Sequence, residues 1–100
     1  IMNILLVCAA GMSTSLLVNR MNDAAQEKGI EVHIEAHPVG SVTSYADQSD
    51  VILLGPQVRY ELKKIQGMYP DKPVEVINMQ DYGMMNGQKV LDHAIELLNK

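Results

Sequence analysis

The chain reads as an α/β fold: a four-stranded parallel sheet, spatial order 2-1-3-4, with helices on both faces. Two observations predict it. Short apolar runs alternate with turn signals and longer amphipathic stretches, the rhythm of parallel strands joined by crossover helices. The first and third runs are apolar throughout, as strands covered on both faces must be, whereas the second and fourth are mixed, as edges are. In that order the connections leave strands 1 and 3 toward opposite faces. The crevice between their carboxyl ends is then the switch point where ligands bind in open parallel sheets.

Each element has its own signature. "NILLVC" (3–8) is the first central strand, a continuous apolar run of strand length. From about Ser13 to Lys28 the residues Leu17, Met21, Ala24 and Ala25 recur at helical spacing, and Gly29 ends the helix. "EVHIEA" (31–36) alternates, with Val32, Ile34 and Ala36 on one face and Glu31, His33 and Glu35 on the other. "DVILLG" (50–55) is the second central strand, and "PVEVIN" (73–78) is a short, half-polar edge. Between them "QVRYELKKIQGM" predicts a helix with Val58, Leu62 and Ile65 inward. The closing "GQKVLDHAIELLNK" carries an apolar stripe of Val90, Leu91, Ala94, Ile95 and Leu98.

A chain of 100 residues is expected to form a single domain, 1–100, with one modest core. That core is aliphatic: Phe and Trp are absent, and seven Met serve as gap fillers. The formal charge is −4 and no basic run occurs, which argues against nucleic acid and anionic membrane surfaces. The apolar N-terminus lacks a basic flank and is too short to span a bilayer. A lone cysteine forms no internal disulfide, so a reducing, cytoplasmic setting is expected.

That cysteine, Cys8, is the last residue of the first central strand and opens the loop "CAAGMSTS". The loop has the parts of an anion cradle. Ala9, Ala10 and Gly11 are small enough for a sharp turn with inward N–H groups, and Gly11 adopts a left-handed conformation at little cost. Met12 stands at the loop tip, while Ser13, Thr14 and Ser15 suit the start of a helix whose first N–H groups lack partners. A tetrahedral dianion above Cys8 would meet several such donors. The same field favours the thiolate, which is the nucleophile. The bland alternative is a small buried hydrophobe, but such a cysteine belongs within an element rather than at the junction of a strand and a glycine- and hydroxyl-rich turn.

Cysteine-dependent phosphatases use a similar strand–loop–helix but grip phosphate with an arginine six positions after the cysteine, where this chain has Thr14. Arg20 and Arg59 do not replace it in sequence. Hydrolysis also needs a general acid, for which Asp81 is the one candidate near a strand end; its plainer role is a helix cap or turn. A site that makes phosphocysteine without an efficient means of hydrolysing it suits a carrier.

"LLVCAAGMSTSLLV", followed by "DVILLGPQVRYEL" and "KPVEVINMQDYG", resembles the IIB component of the phosphoenolpyruvate-dependent sugar phosphotransferase system, lactose/cellobiose/chitobiose family. The resemblance runs over essentially the whole chain. It implies that Cys8 accepts a phosphoryl group from a phosphohistidine of the IIA component and passes it to a sugar bound in the membrane component IIC. It implies residues 9 to 15 as the phosphate loop, similar to that of low-molecular-weight tyrosine phosphatases. Ala9 stands where several relatives are expected to have Ser; the backbone cradle does not depend on that hydroxyl.

Gln57 and Tyr60 follow Gly55 and Pro56 at the switch point. They either form the rim of the phosphate site or face a partner; structurally, Gln57 would cap a helix and Tyr60 would pack its ring. Arg59 is read as an exposed residue of a charged helix. His33 on an edge strand, His37 in a turn before Pro38 and His93 on the outer side of the last helix are read as surface residues, with no metal and no cofactor expected. Met12 would join an exposed apolar docking patch, with Met84 and Met85 as further members or as core filling. The carrier reading calls for an open, shallow site, transient partner contacts and a monomer. Its rivals are a small cysteine phosphatase or arsenate-reductase-like enzyme, and an interaction domain with a response-regulator-like sheet. The latter lacks the acidic residues such sheets carry after strand 1.

Overall fold

A computed structural model describes residues 1–9 and 12–99, with the backbone alone for residues 12–14. The four strands are β1 (Met2–Cys8), β2 (Val32–Pro38), β3 (Val51–Leu54) and β4 (Val74–Val76). All pair in parallel, in the order β2-β1-β3-β4. This is the expected sheet, and the residue pattern explains it. Ile4, Leu5, Leu6 and Val7 are all buried, as are Val51 to Leu54, because each central strand presents alternate residues to two cores. Ile4 and Leu6 face helix α1 (Met12–Lys28) and helix α5 (Gly87–Leu98), against Leu17, Met21, Val90, Leu91 and Ala94. Leu5 and Val7 face the other side, with Val42, Ala46, Val58 and Ile65. The salt bridge Lys28–Asp92, 2.8 Å, joins the two long helices at the surface.

Two local expectations are corrected, the first and third below, and one stretch left unassigned by the sequence takes shape between them. First, β2 runs on to Pro38, so His37 is strand rather than turn. Proline is tolerated there because β2 is an edge and Pro38 its last residue. Second, the crossover from β2 to β3 is helical: α2 (Val42–Tyr45) lies between two 3₁₀ turns, Val39–Ser41 and Ala46–Gln48. Only Val42 and Ala46 of this stretch are buried, too few to give a readable period. Third, the helix expected over 57–68 is split. Pro56–Glu61 is 3₁₀, with Val58 at φ −116 and ψ 23, and α3 (Leu62–Met68) follows. Val58 and Ile65 still point inward, as their spacing required, while Leu62 is half-buried.

A short helix not expected from the sequence, α4 (Met79–Gly83), follows β4, and the Asn78 side chain caps it by accepting from the N–H groups of Gln80 and Asp81. Asp81 thus sits in a capped first turn. Between α4 and α5, Met85 takes a left-handed conformation, φ 51. His93 is half-buried on α5 and lines a surface groove with Asn78, Asp81 and Lys89.

Candidate functional site

The carboxyl ends of β1, β3 and β4 meet at one edge of the sheet. Cys8 ends β1; the Gly55 N–H donates to the Val7 carbonyl at 2.8 Å, and the Ile77 N–H to the Leu54 carbonyl at 2.8 Å. Parallel pairing therefore carries the sheet's hydrogen bonding to the level of the thiol and stops there. Gly55 has little room for a side chain: a Cβ on it would lie 3.0 Å from Gln57 Oε1, 3.5 Å from the Val7 carbonyl and 3.6 Å from the Tyr82 ring. Gln57 and the buried Tyr82 thus stand beside Gly55. Tyr82 was not singled out from the sequence, because one aromatic residue in "QDYGMM" carries no periodic signal.

The thiol points inward. Cys8 is 1% exposed, and its Sγ donates to the main-chain carbonyl of His37 at 3.6 Å. In this state the sulfur does not stand on an open surface. Ala9 is exposed in the bend that follows, and Ser15 is exposed in the first turn of α1. The other loop residues of the proposed cradle, Ala10 and Gly11, lie outside the described residues, as do the side chains of Met12, Ser13 and Thr14.

The remaining residues divide clearly. Tyr60 is 73% exposed, so its ring is not packed. Gln57 is exposed, and no side chain caps the 3₁₀ turn that contains it. Arg59 donates to its own Pro56 carbonyl at 3.0 Å. Arg20 donates to the carbonyls of Met84 and Met85 at 3.4 and 3.3 Å, bracing the α4–α5 corner. Met84 is exposed, whereas Met85 is half-buried against the α1–α5 core.

His37 is the residue that the sequence placed least well. Its ring lies on that of Tyr45, and its Nε2 is 3.0 Å from Glu35 Oε1; His33 Nε2 is 2.8 Å from Glu35 Oε2. Hydrogen bonds from His37 and then His33 hold the Glu35 carboxyl below its ordinary value, against a small opposing effect of burial. Among the described residues no group of three or more His, Cys, Asp or Glu is arranged to hold a metal ion.

A four-stranded parallel sheet with one cysteine at its switch point defines the class of small α/β proteins that present a thiol at a strand-to-helix junction. Residues 3–93 match the family model "PTS system, Lactose/Cellobiose specific IIB subunit", and the chain belongs to that family.

The chain is 44% identical to the galactose-specific EIIB component of Lactococcus lactis subsp. cremoris, covering 96% of this chain and 95% of that one. It is 43% identical to the cellobiose-specific EIIB component of Lactococcus lactis subsp. lactis, with the same coverage. The solution structure of a cellobiose-specific IIB component from Borrelia burgdorferi is 48% identical and superposes with a TM-score of 0.82, covering 98% of this chain and 92% of that one. In a lactose-specific EIICB component of Streptococcus mutans, the similar segment is 39% identical over 56% of this chain but only 10% of that protein. IIB and IIC are thus one polypeptide in some relatives, which supports a IIC sugar permease as partner. No helix among the described residues is long and apolar enough to cross a membrane.

Proposed function

We propose that the chain is a cytoplasmic phosphocysteine carrier in sugar uptake. The sulfur of Cys8 attacks the phosphorus of a phosphohistidine on IIA; the S–P bond forms as the N–P bond breaks, and the thiol proton ends on the departing imidazole nitrogen. In the second step a sugar hydroxyl held by IIC attacks the same phosphorus. The O–P bond forms, the S–P bond breaks, and the hydroxyl proton restores the thiol. The observation that carries this reading is the place of the one cysteine, last in the central strand of a IIB-family sheet. Residues 9 to 15 are proposed as the phosphate loop, with Gln57 and Tyr60 at its rim.

Transfer requires the buried sulfur to become accessible to each donor and acceptor. Hydrolysis gains no support, because Arg20 is engaged with the Met84 and Met85 carbonyls and Arg59 with the Pro56 carbonyl of its own turn. The sugar is proposed to be a β-linked disaccharide such as cellobiose, chitobiose or lactose, and the carrier to act as a one-domain monomer.

The test is incubation with the general phosphotransferase proteins, a IIA partner and phosphoenolpyruvate, followed by mass spectrometry. One phosphoryl group on Cys8, blocked by prior alkylation and absent in Cys8→Ser, is expected. Label on His33, His37 or His93 instead overturns the mechanism.

A further inference from the structure

His33, Glu35 and His37 occupy alternate positions of β2 and share one face of this edge strand. An ionised carboxylate only accepts hydrogen bonds, so the contacts of 2.8 and 3.0 Å put a hydrogen on both Nε2 atoms and leave each Nδ1 to take up a proton. His37 is fixed further than its neighbour. Its ring is stacked on Tyr45 with centroids 3.4 Å apart, its side chain is only 21% exposed, and its backbone pairs with Val7. Its carbonyl receives the Cys8 thiol at 3.6 Å. One residue therefore touches both the nucleophile and a titratable cluster. The register places the His37 ring on the Val7 face of the sheet, away from the sulfur, so the ring acts through its own main chain and through its charge.

We propose that His37 is a positioning residue for Cys8: its carbonyl holds the thiol, and the charge on its imidazole biases position 8 between neutral and anionic states. The inference rests on the carrier reading, in which Cys8 alternates between a thiol and a phosphorylated dianion. Phosphorylation removes the S–H donor and leaves the His37 carbonyl facing an anion. A proton on His37 offsets that repulsion and is itself held more tightly by the anion, by the same factor in both directions.

Other charges near the cluster are few. Among the described residues, β1 contributes Asn3, Leu5 and Val7 to this face, none of them ionisable. The crossover brings Tyr45, Gln48 and Ser49 to the cluster, and the Asp50 carboxylate accepts from the Asn3 N–H at 2.8 Å. Lys72, reaching in after α3, has its ammonium on the carbonyls of Ala46, Asp47 and Ser49.

The test compares an isosteric pair at position 8, Cys8→Asn and Cys8→Asp, by following the histidine ring resonances with NMR over about pH 5 to 8, where imidazoles change charge. In Cys8→Asp the proton affinity of His37 is expected to rise about two- to fivefold, the size of effect a nearby screened unit charge produces. His33, four residues and roughly 13 Å back along the strand, is expected to move less. Phosphorylated wild-type protein, compared with the thiol form, should show the same order with a larger rise, and serves if the aspartate variant does not fold. Equal movement of both histidines, or none, overturns the proposal. The variant pair needs no phosphoryl donor, so its result is independent of whether Cys8 carries the group in turnover. Absence of phosphoryl label on wild-type Cys8 sinks the carrier reading alone.

Discussion

The ring of His37 lies flat on that of Tyr45, with centroids 3.4 Å apart and planes 4° from parallel. This stack fastens the end of edge strand β2 to helix α2, and the same His37 supplies the carbonyl that receives the thiol. Tyr45→Leu keeps apolar cover but removes the stack. The expected loss is about 1 kcal/mol, read as a fall in Tm of roughly 4–8 °C for a domain of this size. Hydrogen exchange at the amides of Ala36 and His37 should quicken in the same variant.

The Glu35 carboxyl is depressed below its ordinary value of 4.5 by its bonds to His37 and His33. A depressed acid stabilises the folded state above its unfolded value, and the contribution is lost as pH falls through the folded value. Urea denaturation from pH 7 down to the acid limb should therefore fall less steeply in Glu35→Gln than in wild type. An equal slope in both would show that these bonds carry no pH-linked stability.

Gly87 opens α5 where it crosses α1. A Cβ there would collide with the main-chain carbon of Arg20 and lie 2.5 Å from the Met21 nitrogen. Backbone atoms cannot rotate away, so Gly87→Ala must push the helices apart, at a cost of about 1–3 kcal/mol or more. The denaturant midpoint should drop accordingly.

Gly55→Ala makes the contrasting case. The nearest atom to the new Cβ is Gln57 Oε1 at 3.0 Å, the far end of a flexible side chain. The variant should fold with a loss near or below about 1 kcal/mol, and the Gln57 side-chain amide resonances should shift as it moves aside.

The ammonium of Lys72 donates to the carbonyls of Ala46, Asp47 and Ser49 at 2.8, 3.0 and 2.6 Å, closing the 3₁₀ turn before β3. Lys72→Met keeps the aliphatic stem and strips the three bonds. A loss of about 1.5–3 kcal/mol, the worth of bonds to a charged donor, is expected in thermal or urea unfolding. Lys72→Arg should recover part of it.

What the residues made legible follows from how strongly burial constrains them. Ile4 to Val7 and Val51 to Leu54 are apolar without interruption because both faces of each strand are covered, and from this the sheet order could be read. The position of Cys8 at the end of β1 was equally plain. Its burial was not, since a polar junction suggests an opening and nothing local says that the sulfur turns to His37, which lies in another strand. Pro38 read as a turn signal, yet at the end of an edge strand it interrupts no ladder and let β2 include His37. The segment 39–48 went unassigned because it buries only Val42 and Ala46, without a repeating stripe, and the inward spacing of Val58 and Ile65 did not reveal that 56–61 winds as a 3₁₀ turn.

The central place of β1 also shapes how the molecule comes into being. Its apolar run finds one neighbour, β2, as soon as the β1–α1–β2 crossover is complete, but the other side of Ile4 waits for Val51. At ribosomal speeds of about 5–20 residues per second, that side of the strand stays uncovered for seconds after it is made. Until β3 emerges the nascent chain carries an unpaired strand edge open to association, and the strand that ends in the thiol is the one that bears it.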